Sequence, residues 1–375
     1  VLTPLDDSLW HQLPTTFDHA GTSDPRFFDR WWFACYDPEG RAAAQVTMGM
    51  YKNMNVLDGG VMVLDGARQH NLRASRSLRP DFEPAVGPLR VEVEVPLERH
   101  RLIVEPGDHG IALDLVWSAV LPPEEEHPHF ARVRGRVTED YHRFDQVGVV
   151  SGTIETPDGT IRADRWWGGR DHSWGVRQSV GIPEPVTGPA PAPGDAGFLF
   201  AFLFFATHDW AGHVQLAERG DHQVYLTGLL RQRSRPEVDR HVTHATLHPV
   251  FVPGTRRFSH AEFACVLDDG EALVLRAEAN PSSFAMPGLG YSGGWRDRRG
   301  LGVWRSDLVL EHETWDVSHP ADVVMEDGTV ERPAHRIAPV RVSVGSDPGP
   351  GTGGTGSLTL IATGTLPRLG LGPDA

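Results

Sequence analysis

From Leu89 to Val95 the chain alternates Leu89, Val91, Val93 and Val95 with Arg90, Glu92 and Glu94, the period of two that marks a half-buried strand. The pattern recurs where Ile111, Leu113, Leu115 and Trp117 oppose Ala112, Asp114, Val116 and Ser118. Asp65-Gly66, Asp158-Gly159 and Asp269-Gly270 separate strand-like runs as hairpin turns. Further strands are predicted over 45–51, 61–64, 68–76, 101–105, 145–155, 160–165, 198–206, 212–218, 222–230, 258–267, 271–279, 303–315 and 357–363. Helical periodicity is confined to single turns near Ser8 to Leu13 and around Asp24 to Asp29. The expectation is an all-β chain built of sandwiches or barrels.

At 375 residues the chain exceeds what one core usually organises, so two domains are expected. High counts of Gly (41) and Pro (30) fit many turns between short strands. Pro183, Pro185, Pro189, Pro191 and Pro193 break strand patterning and place a linker at 183–197, between domains at 1–182 and 198–375. Gly351-x-Gly353-x-x-Gly356 has dinucleotide-fingerprint spacing but opens onto the strand-like Leu358 to Ile361, so it reads as a hairpin loop.

A formal net charge of −15, with no basic stripe to offset it, argues against nucleic-acid binding. Cys35 and Cys265 are far apart and fit free thiols in a reducing compartment. Val1 to Asp7 shows no signal-peptide pattern, and no apolar run is long enough to span a bilayer, so a cytoplasmic protein without an integral membrane segment is expected. Nucleophile-elbow, Walker and His-Glu-x-x-His motifs are missing, which removes the usual apparatus of acyl transfer, nucleotide hydrolysis and zinc proteolysis.

The densest chemistry lies in Arg165-Trp166-Trp167-Gly168-Gly169-Arg170-Asp171-His172-Ser173-Trp174-Gly175. A His beside a carboxylate can move a proton near neutrality, and indole faces can stabilise a cation or cover an apolar ligand. A structural corner, with Arg170, Asp171 and His172 satisfying one another, is the competing reading.

This segment resembles the Asp-His-x-Trp segment of the carotenoid 1,2-hydratase (hydroxyneurosporene synthase), AttH-like superfamily. Trp10-His11, Phe17-Asp18, Trp32-Phe33, Tyr36-Asp37, Met48 to Asn53, Asp58-Gly59-Gly60 and Gln69-His70-Asn71 resemble an uncharacterised bacterial branch of it. Gly290-Tyr291 to Trp295, Gly302, Glu311 and Trp315-Asp316 extend the resemblance over most of the chain. It implies two consecutive lipocalin-like antiparallel β-barrels and a pocket near their junction for a small hydrophobic molecule, terpenoid, polyketide, steroid-like or fatty. No metal or organic cofactor is implied, and the protein is expected as a monomer or homodimer. Hydration or dehydration, isomerisation and polyene cyclisation are the implied chemistries, with a non-catalytic carrier as the alternative.

The expected catalytic group is His172, oriented by Asp171 and working against Trp174. In hydratases of the superfamily this His and Trp act with a Tyr and an Asp on a following strand, but Phe198 to Phe205 carries neither. Trp167, Arg170, Met48, Met50, Tyr51, Lys52, Asn53 and Tyr291 complete the expected ligand-binding set. On a strand, Met48, Met50 and Lys52 would share one face, an adaptable apolar surface with one polar anchor or else core filler.

Along Val303 to Trp315, the face of Trp304, Leu308, Leu310 and His312 reads as barrel interior, and that of Asp307 and Glu311 as solvated or arginine-paired. His127, His129, His241, His244 and His248 lack coordination spacing and read as surface or loop histidines.

Overall fold

The computed structural model describes residues 14–133, 135–181, 197–345 and 353–373, so the segment Ser8 to Leu13 and residues 183–196 of the expected linker lie outside the described residues. The expected all-β architecture is what the chain adopts: the described elements are strands and short 3-10 turns. Among the described residues, no helix is long and apolar enough to cross a membrane.

The first unit is an antiparallel sheet that curls on itself. Its central strands are Arg68–Ser77, Val56–Asp65, Ala42–Tyr51, Phe27–Tyr36, Gly159–Val176, Arg136–Thr156 and Ala112–Ala119, in that spatial order. Beyond Ala112–Ala119 come Arg99–Val104, Leu89–Val95 and Ala85–Val86, and Val86 and Leu89 return over Gly59 from the far edge. The concave face encloses Phe33, Val46, Val61, Leu72, Leu115, Trp117 and Trp166.

The second unit is a closed barrel. Phe198–Ala206, Trp210–Arg219, His222–Gln232, Arg240–Phe251, Phe258–Leu267 and Ala272–Ala279 follow one another, and Arg336–Val344 and Gly354–Thr363 complete the ring. Leu199, Leu203, Phe205, Val214, Leu247, Phe263 and Leu358 fill its interior, as expected for a small barrel. Cys35 and Cys265 are free thiols, one in each core.

Three expectations are corrected. The turn near Asp24 to Asp29 is not helical, since Phe27–Tyr36 is a central strand. Phe33 and Cys35 face the first core while Trp32, Ala34 and Tyr36 face the other way into a second apolar cluster, so burial on both sides erased the alternation. Residues 308–331, expected with the second barrel, instead extend the first sheet: Leu308–Asp316 pairs along its length with Arg68–Ser77. The faces of Leu308–Asp316 are also inverted. Leu308, Leu310 and His312 are exposed, whereas Glu311 is buried against Arg73 at 3.3 Å.

The convex face of the first sheet packs on the outside of the barrel. Tyr36, Trp167 and Phe204 meet there with ring centroids 5.1 and 5.6 Å apart. A chain of buried hydrogen bonds crosses the junction, from Trp32 Nε1 to Gln45 Oε1, Gln45 Nε2 to Tyr36 Oη, and Tyr36 Oη to Ser357 Oγ.

Candidate functional site

The Gly159–Val176 strand carries the dense segment between two partner strands. Successive side chains of a strand project to opposite faces, so the segment divides into two sets. Trp166, Arg170, His172 and Trp174 lie on the concave side. Trp167, Asp171 and Ser173 lie on the convex side, where the two units enclose a cavity of about 970 Å³.

The first sheet supplies Arg30, Trp32, Tyr141, Arg143, Asp171 and Ser173 to this cavity. The barrel supplies Phe198, Phe200, Phe202 and Phe204, the outward residues of a strand whose inward residues fill the barrel. Met286, Tyr291 and His335 close the top. One wall is therefore aromatic, and the facing wall concentrates ionisable groups.

Burial pushes the Asp171 carboxyl above the usual range, against the pull of Arg143, Arg177 and Arg30. Burial would raise the Tyr291 phenol too, but Arg30 and Arg177 outweigh it and lower the pKa. The Arg30 guanidinium lies over the Tyr291 ring at 5.0 Å and that of Arg177 at 5.9 Å. Arg30 Nη1 donates to Tyr51 Oη at 2.8 Å, while its Nε and Nη2 are buried without a partner among the described residues. His335, edge-on to Tyr291 at 5.3 Å, is depressed to about 4 by burial and then by Arg177 and Arg257, and so is neutral near pH 7. The cavity thus combines a carboxyl whose pKa is raised, a phenol whose pKa is lowered, and a guanidinium with unpartnered donors.

Of the expected site residues, Asp171 and Tyr291 line this cavity. Asp171 does not orient His172, because the two project to opposite faces; His172 Nε2 instead meets Asp29 Oδ1 at 2.7 Å. Trp174 is beside His172 at 5.2 Å but is 37% exposed, and both face away from the cavity. Arg170 is buried on the same side as His172, with Nε and Nη2 donating to Gln146 Oε1. Trp167 packs below the cavity between Tyr36 and Phe204.

The Met48 to Asn53 cluster does not reach the cavity as a unit. Met48 and Met50 pack in or against the core of the first sheet. Tyr51 supports Arg30 from behind. The strand ends there, and Lys52 and Asn53 enter a 3-10 turn. Lys52 Nζ donates to the Phe17 carbonyl and Asn53 Nδ2 to those of Thr22 and Asp24, which fastens the preceding arm.

Arg30, Arg177, Tyr141, His335 and the phenylalanine wall were not anticipated. A usable signal existed for the wall: Phe198 to Phe205 is apolar at every position, as in a strand covered on both faces. No local signal marks Arg30, which converges with Tyr291 only through the topology.

Residues 2–346 match a family of unknown function (DUF8625). No curated protein matches the sequence. Among solved structures the chain is similar to kievitone hydratase from Nectria haematococca, with a TM-score of 0.47, 10% identity and 89% of each chain covered. It is also similar to CghA with Sch210972, with a TM-score of 0.49, 9% identity, and 90% of this chain and 88% of that one covered. A second structure of CghA gives a TM-score of 0.48 at 10% identity, covering 94% and 90%.

Proposed function

We propose, for a chain that belongs to the DUF8625 family, that the cavity between sheet and barrel binds an apolar molecule bearing a carbonyl and performs acid/base chemistry on it. The observation that carries this reading is the placing of Asp171 and Tyr291, with shifts in opposite directions, beside Arg30 and Arg177 and across from a phenylalanine wall. Groups driven apart in pKa within one site are suited to be acid and base. A cluster of guanidinium groups disfavours a carbocation and favours an enolate oxygen, so polarised carbonyls fit better than plain polyenes.

In a hydration, the water oxygen adds to the β-carbon of the conjugated carbonyl while Tyr291 takes the water proton. The displaced electron pair becomes an enolate held by Arg30 and Arg177. Asp171 then delivers its proton to the α-carbon; the net change is addition of water, and solvent returns both groups to their starting states. Dehydration is the reverse, and isomerisation or cyclisation uses the same proton transfers. Terpenoid, polyketide, steroid-like and fatty bodies suit the aromatic wall. The finer likeness to carotenoid 1,2-hydratases rests on the Trp167 to Gly175 segment, and that to their bacterial relatives on the ordered motifs from Trp10-His11 to Trp315-Asp316.

The test begins with thermal shift across apolar compounds matched in size, with and without a conjugated carbonyl. Carbonyl compounds should raise the melting temperature more. Bound compounds are then incubated in D₂O, where the α-carbon should gain deuterium with the native protein and not with Asp171→Asn. Binding without exchange in any compound would favour a carrier, and uniform silence in the first screen would remove the ligand altogether.

A further inference from the structure

Beyond Arg143, on the barrel side, lies a second buried polar group that the cavity does not use. Glu124, Glu126, Asp145 and His213 are all buried, the first three from the first sheet and its flanking segment, and His213 from the Trp210–Arg219 strand of the barrel. Glu124 is held on both oxygens, Glu126 and His213 are each held on one side and bare on another, and Asp145 is bare on both oxygens.

The Nδ1 of His213 meets Glu124 Oε2 at 2.9 Å, and Arg231 Nη1 fixes the other Glu124 oxygen at 2.8 Å. A carboxylate at Nδ1 assigns the proton to that nitrogen and leaves Nε2 with its lone pair. That Nε2 is buried without a partner among the described residues. Glu126 Oε2 accepts from Arg143 Nη2 at 2.8 Å and faces His129 Nε2 at 2.7 Å, while Glu126 Oε1 is bare. Asp145 Oδ2 stands 3.6 Å from His213 Nδ1, beyond hydrogen-bond reach. One donor atom from each of Glu126, Asp145 and His213 lies within 4.8 Å of the others.

Glu126 Oε1, both Asp145 oxygens and His213 Nε2 have no hydrogen-bond partner among the described residues, and lone pairs buried together in this way call for a positive charge. The acidic side chains of Glu124, Glu126 and Asp145 outnumber the guanidiniums of Arg143 and Arg231. An imidazole whose far nitrogen is held by a carboxylate is the usual support of a metal-binding histidine. We propose that Glu126, Asp145 and His213 bind one divalent cation of the zinc class, which ties the first sheet to the barrel. One imidazole and two carboxylates suit such a borderline ion, and the second Asp145 oxygen or a water completes four-coordination. This site shares Arg143 with the cavity wall but takes no part in the proton transfers assigned there.

The experiment uses the full chain, stripped with a chelator and then given ZnCl₂ or CoCl₂ alone. The expected result is about one ion retained per chain after gel filtration, a visible cobalt band, and a melting temperature raised by several degrees. X-ray absorption of the zinc form should show one imidazole and otherwise oxygen ligands, a readout that needs no variant to fold. His213→Ala and Asp145→Asn should lose the retained ion. No retained ion with an unchanged melting temperature would overturn the site, leaving Glu126 and Asp145 to share a proton. A sulfur or many-imidazole shell would equally overturn it, as would retention undiminished in either variant.

Discussion

The Asp171 carboxyl is half-buried at the cavity wall, and among the described residues it receives no hydrogen bond to offset its partial desolvation. Its neighbours Arg143, Arg177 and Arg30 only partly restore the charged form, so the proton is held above the pH at which an ordinary carboxyl loses it. Turnover that needs this proton should fall as pH rises through the raised pKa. The stability contribution has the same sign: it is fully present below the ordinary value of 3.8 and is lost as pH rises through the raised value. Asp171→Asn mimics the neutral side chain, so it should leave neutral-pH stability unharmed while cutting turnover by about 10²- to 10⁴-fold. His172→Ala gives the contrast. It breaks the 2.7 Å contact with Asp29 and loosens the packing of Trp31 and Phe144, so melting temperature should drop with turnover nearly kept. Measuring both quantities on both variants checks the assignment, and a His172→Ala protein that is stable but inactive would reverse it. The sequence drew attention to both residues because they are adjacent in an unusual segment. It left their opposite faces unread because the predicted strand stops at residue 165, whereas the strand runs on to Val176.

Strand alternation is legible only where one face meets water. Leu89–Val95 was found with its observed limits because Arg90, Glu92 and Glu94 point away from the core. Phe27–Tyr36 was missed because both its faces are covered, and with it went Arg30 and Trp32 of the cavity wall. Glycines set the course of the long strands that carry Asp171. Gly148 and Gly168 stand opposite one another in the Arg136–Thr156 and Gly159–Val176 pair, with the Trp117 indole beneath both. A Cβ at Gly148 would come within 2.5 Å of Trp117 Cε2 and 2.6 Å of the Ser118 carbonyl, which belongs to backbone and cannot turn aside. At Gly168 the nearest atoms, Val150 Cγ2 at 2.9 Å and Trp117 Cδ1 at 3.0 Å, are side-chain atoms. Gly148→Ala should therefore cost ~1–3 kcal/mol in overpacking and Gly168→Ala less. Urea midpoints at unchanged slope measure the difference, and equal losses would mean that the strand pair moves as a body.

Two units joined only by a linker would unfold separately, whereas this chain returns from its second half to finish the first sheet. Leu308–Asp316 covers the edge of Arg68–Ser77, which would otherwise offer a row of unpaired backbone groups. Arg73 locks that return. Its Nη2 meets Glu311 Oε2 at 3.3 Å and also Glu313 Oε1, and its Nη1 donates to the carbonyl of Gly288 at 3.3 Å. Its guanidinium lies 6.0 and 5.9 Å from the rings of Trp295 and Trp315. The turn Met286–Leu289 that contains Gly288 leads directly to Tyr291, so the same arginine holds the sheet closed and the cavity roof in place. Arg73→Met keeps much of the apolar stem but leaves buried Glu311 and half-buried Glu313 without their cation. Removing one partner of a buried ion pair costs about 3–5 kcal/mol, so a large fall in the urea midpoint is expected. Glu311→Gln should be milder, because a neutral amide leaves Glu313 as Arg73's carboxylate and avoids an uncompensated charge. The prediction specific to the roof is that Arg73→Met weakens ligand binding at temperatures where the protein is still folded, while Gly148→Ala, remote from the roof, weakens stability alone. Titration of a carbonyl ligand well below each melting point separates the two. Unchanged affinity in Arg73→Met would show that Arg73 does not hold the roof.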